Sequence, residues 1–241
     1  MTHEVWVYIV TFVAALLTLM TGFGLGTILT PVFVLMYDVK LAILLVAIVH
    51  FLNNAFKFTL FRRHIDFGII KRFGVLSIAG ALIGAFLQLY LYSDVLKIVL
   101  GVVLIALGLG EFLPQNVSFT FPRKVDVIGG FFSGLMGGLV GNQGAIRSAY
   151  LLNYDISKEV FIATATVIAL FIDTTRIPVY FIFQREILGG FPWQLVLVVL
   201  TAFLGTLVGK RVLKNLTFSV FKKLVAAFVV IIGIFFILRI V

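Results

Sequence analysis

The chain has 241 residues, 62% of them hydrophobic and 12% charged, with a formal net charge of +9 and a mean hydropathy of +1.19. Soluble domains carry roughly a quarter charged residues, so the composition excludes one and points to an all-α polytopic membrane protein; apolar runs of about twenty residues also exclude a membrane β-barrel, whose short strands alternate. The absence of cysteine excludes disulfides, thiolate catalysis and cysteine metal sites, and the positive charge lies in short loops beside apolar runs, as in loops retained in the cytoplasm rather than in a nucleic-acid binder.

In chain order, apolar segments cover residues 5–21, 25–37, 41–61, 73–91, 95–113, 125–137, 145–152, 160–183, 193–208 and 218–238. The first has no basic region before it and no small-residue cleavage site after it, and reads as mature protein rather than a removed signal. A full crossing needs about 20 apolar residues. The pieces flanking two Gly-rich stretches, 22–31 and 137–148, are mostly too short for that. Each pair is either one broken helix or a re-entrant hairpin that returns to its own side.

The order of features repeats. Displacement by 125 residues superposes Gly80 on Gly205, Gly84 on Gly209, Lys97 on Lys222 and Gly108 on Gly233, and displacement by 117 superposes Tyr37 and Asp38 on Tyr154 and Asp155. The expected organisation is a first repeat over 1–113, a linker over 114–124 and a second repeat over 125–241, all in one membrane domain. Basic residues choose between the topologies. Crossing Gly-rich elements make the halves parallel and split the loop cations evenly, eight to a side. Re-entrant hairpins make the halves inverted. They gather Arg62, Arg63, Lys71, Arg72, Arg123, Lys124, Lys158, Lys210, Arg211, Lys214, Lys222 and Lys223 on one side, leaving only Lys40, Lys97, Arg185 and Arg239 opposite. The biased arrangement is the expected one, with inverted repeats, three full spans per half and both termini outside the cytoplasm.

The second Gly-rich stretch places Gly137, Gly138, Gly141 and Gly144 beside Asn142, Gln143 and Arg147. Open backbone and charge at membrane depth are tolerated where they line a cavity. A helix starting after Gly144 presents unpaired N–H groups and a partial positive charge, a ready anion site, to which Arg147 adds a planar fork. The bland alternative is an arginine that caps carbonyls or pairs with a buried carboxylate. In the first stretch Gly24 and Gly26 permit close approach, Thr27 and Thr30 are donors, and Pro31 fits near a helix start. These glycines serve ligand contact, close helix packing, or both.

His50, Asn53, Asn54 and Lys57 recur at helical spacing as a polar stripe on the third apolar segment. The corresponding later helix carries Thr164, Thr166, Asp173, Thr174 and Arg176, with Pro178 as a kink. Asp173 and Arg176, three apart, are placed to pair. His50 is either a hydrogen-bonding strut or a proton-coupling group. The stripes wall two access routes to a substrate held by the helix starts. No cofactor or metal site is expected: there is no metal-ligand spacing, no nucleophile elbow around Ser133, and no Walker or dinucleotide fingerprint.

Taken in order, the Gly-rich run reaching Pro31, the run Phe131, Phe132, Ser133, Gly134, Leu135, Met136, Gly137, and the turn His64, Ile65, Asp66, Phe67 resemble the TauE/SafE sulfite-exporter family over nearly the whole chain. The resemblance implies an inner-membrane secondary transporter, an exporter of sulfite, organosulfonates or related small anions working by alternating access. In place of the family's glycine triplet leading to a proline, this chain has Gly141, Asn142, Gln143 and Gly144 leading through Arg147. The competing readings are an anion channel, which conducts without a saturating cycle, and a non-transporting scaffold subunit, whose polar stripes are filled by internal hydrogen bonds. The expected partners are a small anion, the bilayer and a coupling proton or ion.

Overall fold

The computed structural model describes residues 2–21, 24–110, 112, 122–183, 193–212 and 219–240. The body of the expected linker, 114–121, and Gly22, Arg185 and Lys214 lie outside the described residues. The described residues are all-helical. The helices are α1 (Thr2–Thr21), α2 (Leu25–Val34), α3 (Val39–Phe61), α4 (Phe67–Ile69), α5 (Val75–Tyr90), α6 (Ser93–Gly110), α7 (Asp126–Val140), α8 (Gly144–Leu151), α9 (Lys158–Phe183), α10 (Gln194–Val212) and α11 (Ser219–Ile237). A π-helical turn, Ile70–Gly74, joins α4 to α5. Among the described residues five stretches are long and apolar enough to cross a membrane: Val39–His64, Phe67–Tyr90, Ser93–Gly110, Lys158–Phe183 and Gln194–Val212. With 10 and 8 residues, α2 and α8 are too short to cross alone.

The fourth apolar segment begins six residues earlier than its hydropathy suggests. Asp66 Oδ1 accepts the Ile69 N–H at 3.0 Å and starts a helical turn there, and the chain carries Lys71 and Arg72 through the π turn into α5. Similarly, Asp38 Oδ1 accepts the Lys40 N–H at 2.9 Å and starts α3 two residues early.

The helices pair over long sequence separations: α5 packs on α7, α1 on α10, α6 on α11 and α3 on α9. Small residues make the first pairs close enough for backbone to meet backbone. A Cβ on Gly80 or Gly84 would strike the Phe131 or Leu135 carbonyl of α7, and one on Gly134 would strike the Ser77 carbonyl in return. Gly205 of α10 stands in the same relation to the Phe12 carbonyl of α1. Gly101 and Gly233 face each other's carbonyls across α6 and α11. Gly80, Gly84 and Gly205 therefore all pack within the chain. At the centre, all ten residues of α2 are buried, and its apolar side joins α3 in the main core through Leu29, Phe33, Ile43 and Leu44.

The ends of the helices collect charge unequally. Lys210 Nζ sits 5.3 Å from the Phe61 ring centroid, placing the end of α10 beside Arg62 at the end of α3. Arg72 and Arg123 flank the Tyr154 ring at 5.6 and 5.5 Å, and the Tyr154 hydroxyl donates to Asp126. Burial, and then this bond, push the Tyr154 phenol above its usual pKa. The Asp66 N–H donates to Thr164 Oγ1 at 3.0 Å, so the loop after α3 lies against the second turn of α9, at the end of that helix that begins with Lys158. At another end Lys40 Nζ donates to the Leu89 carbonyl at 3.1 Å and Ser93 donates to Asp38 at 2.8 Å.

Candidate functional site

Both helix interruptions end at the same place. Gly24 is extended (φ −68°, ψ 151°) and leads into α2. Gly141 closes α7 in the left-handed region at φ 77°, where glycine carries no Cβ penalty. Its N–H donates to the Gly137 carbonyl at 3.1 Å and the Asn142 N–H to the Met136 carbonyl at 3.3 Å, after which the chain restarts as α8. A Cβ on Gly24 would lie 3.1 Å from Gly144 Cα. Thr27 Oγ1 donates to Asn142 Oδ1 at 2.7 Å. Neither Gly24 nor Gln143 caps its helix with a side chain, so two sets of first-turn N–H groups converge.

Behind this seam, Asp173 organises a buried bracket. Its Oδ1 accepts from Arg176 Nη2 at 2.9 Å and Nε at 3.0 Å, the pairing their spacing predicts. The same oxygen accepts from Gln143 Nε2 at 3.2 Å, and Oδ2 lies 2.6 Å from His50 Nδ1. A carboxylate only accepts, so this imidazole nitrogen carries the proton. Arg176 Nη1 also donates to the Gly137 carbonyl at 2.7 Å, and the Tyr180 hydroxyl donates to the Gly138 carbonyl. Ser133 donates to the Gln143 carbonyl at 3.0 Å. The bracket thus ties α9 to the end of α7 and the start of α8.

In front of the seam is a cleft of about 390 Å³. Lys57 and Arg147 enter it, each only 6% exposed. Lys57 Nζ donates to Thr18 Oγ1 at 3.0 Å. Arg147 Nη1 makes a long contact of 3.5 Å to Gln143 Oε1, and its Nε is buried with no hydrogen-bond partner. Among the described residues neither cation meets a carboxylate, and no acidic side chain lines the cleft. Gly24, Leu25, Ser148 and Thr166 complete its polar and backbone wall, and Phe161, Ile162 and Ala165 its apolar wall. A second cleft of about 400 Å³ lies near the other end of α2, among residues including Tyr8, Phe33, Tyr37 and Gln194. Among the described residues no charged side chain lines it.

A family model described as sulfite exporter TauE/SafE matches residues 7–236. The chain belongs to that family. It is therefore an integral multi-pass membrane protein of a transporter family, not an enzyme family. No curated protein and no solved structure matches the chain.

In this TauE/SafE chain the residues singled out by sequence divide three ways. Gly24, His50, Asn54, Lys57, Arg147 and Thr166 line the cleft. Gly26, Thr27, Asn142 and Gly144 form the seam, where a Cβ on Gly26 would meet the Gly141 carbonyl. Gln143, Asp173 and Arg176 form the bracket behind it. Asn53 turns away, and its Oδ1 accepts from Thr206 of α10 at 2.9 Å. The polar stripe of α3 therefore divides at its edges: positions 50, 54 and 57 face the cleft, and 53, at the opposite edge from 54, faces α10. Thr174 is exposed on the outer side of α9. Sequence reasoning missed Thr18, Ser148, Tyr180 and the apolar wall. Phe161, Ile162, Ala165 and Thr166 follow an i, i+1, i+4, i+5 helical spacing, a signal that a search for polar residues passes over.

Proposed function

We propose that the protein is a secondary transporter that exports small sulfur-containing oxyanions, sulfite or organosulfonates, by alternating access around the seam of the two helix starts. The observation that carries this reading is the pair of buried cations, Lys57 and Arg147, that share one cleft with no acidic partner among the described residues. A buried charge without a counter-ion is costly. An anion drawn from solution supplies the counter-ion, and converging uncapped N–H groups supply further donors.

The architecture supports inverted repeats with boundaries at 1–113 and 125–241. Exchanging the halves maps the α5–α7 contact onto α10–α1, and maps α3–α9 and α6–α11 onto themselves. The helix ends support the biased charge arrangement as well. Arg62 lies with Lys210, Arg72 with Arg123, and the end of α9 that begins with Lys158 meets the loop after α3 through Thr164. In parallel halves Lys158 and Lys210 would sit opposite Arg62. The cleft opens at this basic end, between the last turns of α3 and the first of α9, so an exporter would load there from the cytoplasm. Arg176 and Tyr180, bonded to the Gly137 and Gly138 carbonyls, close the opposite route.

The test is sulfite efflux from proteoliposomes containing the purified chain. Efflux saturates with substrate, and Arg147→Ala reduces it by about tenfold or more, the effect of losing a charge-assisted bond. Undiminished efflux through a folded Arg147→Ala protein would overturn the assignment.

A further inference from the structure

The same cleft carries information about the valence of its ligand. Asp173 and Arg176 compensate each other, and with His50 as the neutral Nδ1–H tautomer donating to the carboxylate the bracket adds no net charge. Lys57 and Arg147 remain. They approach the cleft from α3 and α8, and each keeps donor capacity in reserve. Among the described residues, Lys57 Nζ donates to Thr18 alone, and Arg147 Nε has no partner. A monoanion would leave one of the two buried cations uncompensated, whereas a ligand with two negative charges balances both.

We propose that the site selects dianions, with Arg147 taking one oxyanion face through its fork and Lys57 taking the second charge. Lys57 is then the residue that determines specificity by charge, and Arg147 the residue that binds any oxyanion head. The remaining wall of Phe161, Ile162 and Ala165 accepts the short carbon spacer of an organic dianion without competing for either charge. This inference rests on the anion-transport reading above and narrows it: sulfite in its doubly charged form, thiosulfate and sulfoacetate fit, whereas taurine and simple alkanesulfonates do not.

The experiment is isothermal titration of the purified full-length chain in detergent with matched pairs that share a head group and differ in charge. Sulfoacetate is compared with isethionate, and sulfate with methanesulfonate. In the wild type the dianion of each pair binds at least about tenfold more tightly, the worth of one charge-assisted bond. In Lys57→Met the dianion weakens by that factor and the monoanion keeps its affinity, so the pair converges. Equal affinities within each pair in the wild type would overturn the inference without any variant, and equal weakening of both members by Lys57→Met would also overturn it. Binding of none of the four anions would instead remove the anion-transport reading on which the inference stands.

Discussion

Thr27 Oγ1 donates to Asn142 Oδ1 across 115 residues of sequence, joining the starts of the two short helices at 2.7 Å. Both side chains are buried, and among the described residues Asn142 Nδ2 has no hydrogen-bond partner. Thr27→Val keeps the shape and removes the donor, leaving the whole Asn142 amide unsatisfied. The expected cost is about 1–3 kcal/mol, read as a lower unfolding midpoint in detergent, together with weaker anion binding as the seam loosens. An unchanged midpoint with unchanged binding would show that the bond does not hold the helix starts together.

The Asp173 bracket is expected to show strong coupling. Asp173→Asn leaves Arg176 buried without its counter-ion, a loss of about 3–5 kcal/mol for breaking a buried pair. Asp173→Leu combined with Arg176→Met removes both charges and fills similar volume, so it should lie closer to the wild type than Asp173→Asn does. Chemical denaturation of the two proteins compares them directly. Equal loss in both would mean that packing, not charge, determines the contribution of this site.

Much of this was legible in the sequence because membrane burial makes polar residues conspicuous. The apolar segments anticipated every long helix, and the Asp173 and Arg176 spacing anticipated their bond. Periodicity alone did not separate Asn53 from Asn54, since neighbours on a helix differ by about 100° and both fit a broad stripe. The early start of the fourth segment was hidden because Lys71 and Arg72 interrupt its hydropathy, although Asp66 holds the first turn. The apolar wall of the cleft was hidden for the opposite reason: Phe161 and Ile162 look like any lipid-facing or core residues until α3 and α8 are placed against them.

The glycine contacts between halves yield a graded series. At Gly84 a Cβ would meet the Leu135 carbonyl and the Leu139 N of α7, so Gly84→Ala must push two helices apart. A loss of about 3 kcal/mol or more is expected, at or beyond the usual range for overpacking because the obstacle is backbone. Gly205→Ala, facing the Phe12 carbonyl, should behave alike. Among the described residues a Cβ at Gly110 would meet nothing within 4 Å beyond its own helix, so Gly110→Ala should cost nothing measurable and can gain up to about 0.5 kcal/mol. Similar midpoints for all three variants would contradict backbone-to-backbone packing at the α5–α7 and α1–α10 contacts.

The absence of cysteine makes sidedness directly measurable, since a single introduced thiol is the only one in the chain. Phe161, half-buried, lines the cleft at the basic end, and Tyr37, half-buried, lines the second cleft near the other end of α2. If the basic end faces the cytoplasm, a membrane-impermeant maleimide should label Phe161→Cys in inside-out vesicles and not in intact cells with the outer barrier permeabilised. Tyr37→Cys should show the reverse pattern. Labelling of both from one side would contradict two opposed routes separated by the seam and the Arg176–Tyr180 closure. Labelling of Phe161→Cys from the outside alone would invert the orientation, and the cleft would then load an importer rather than an exporter.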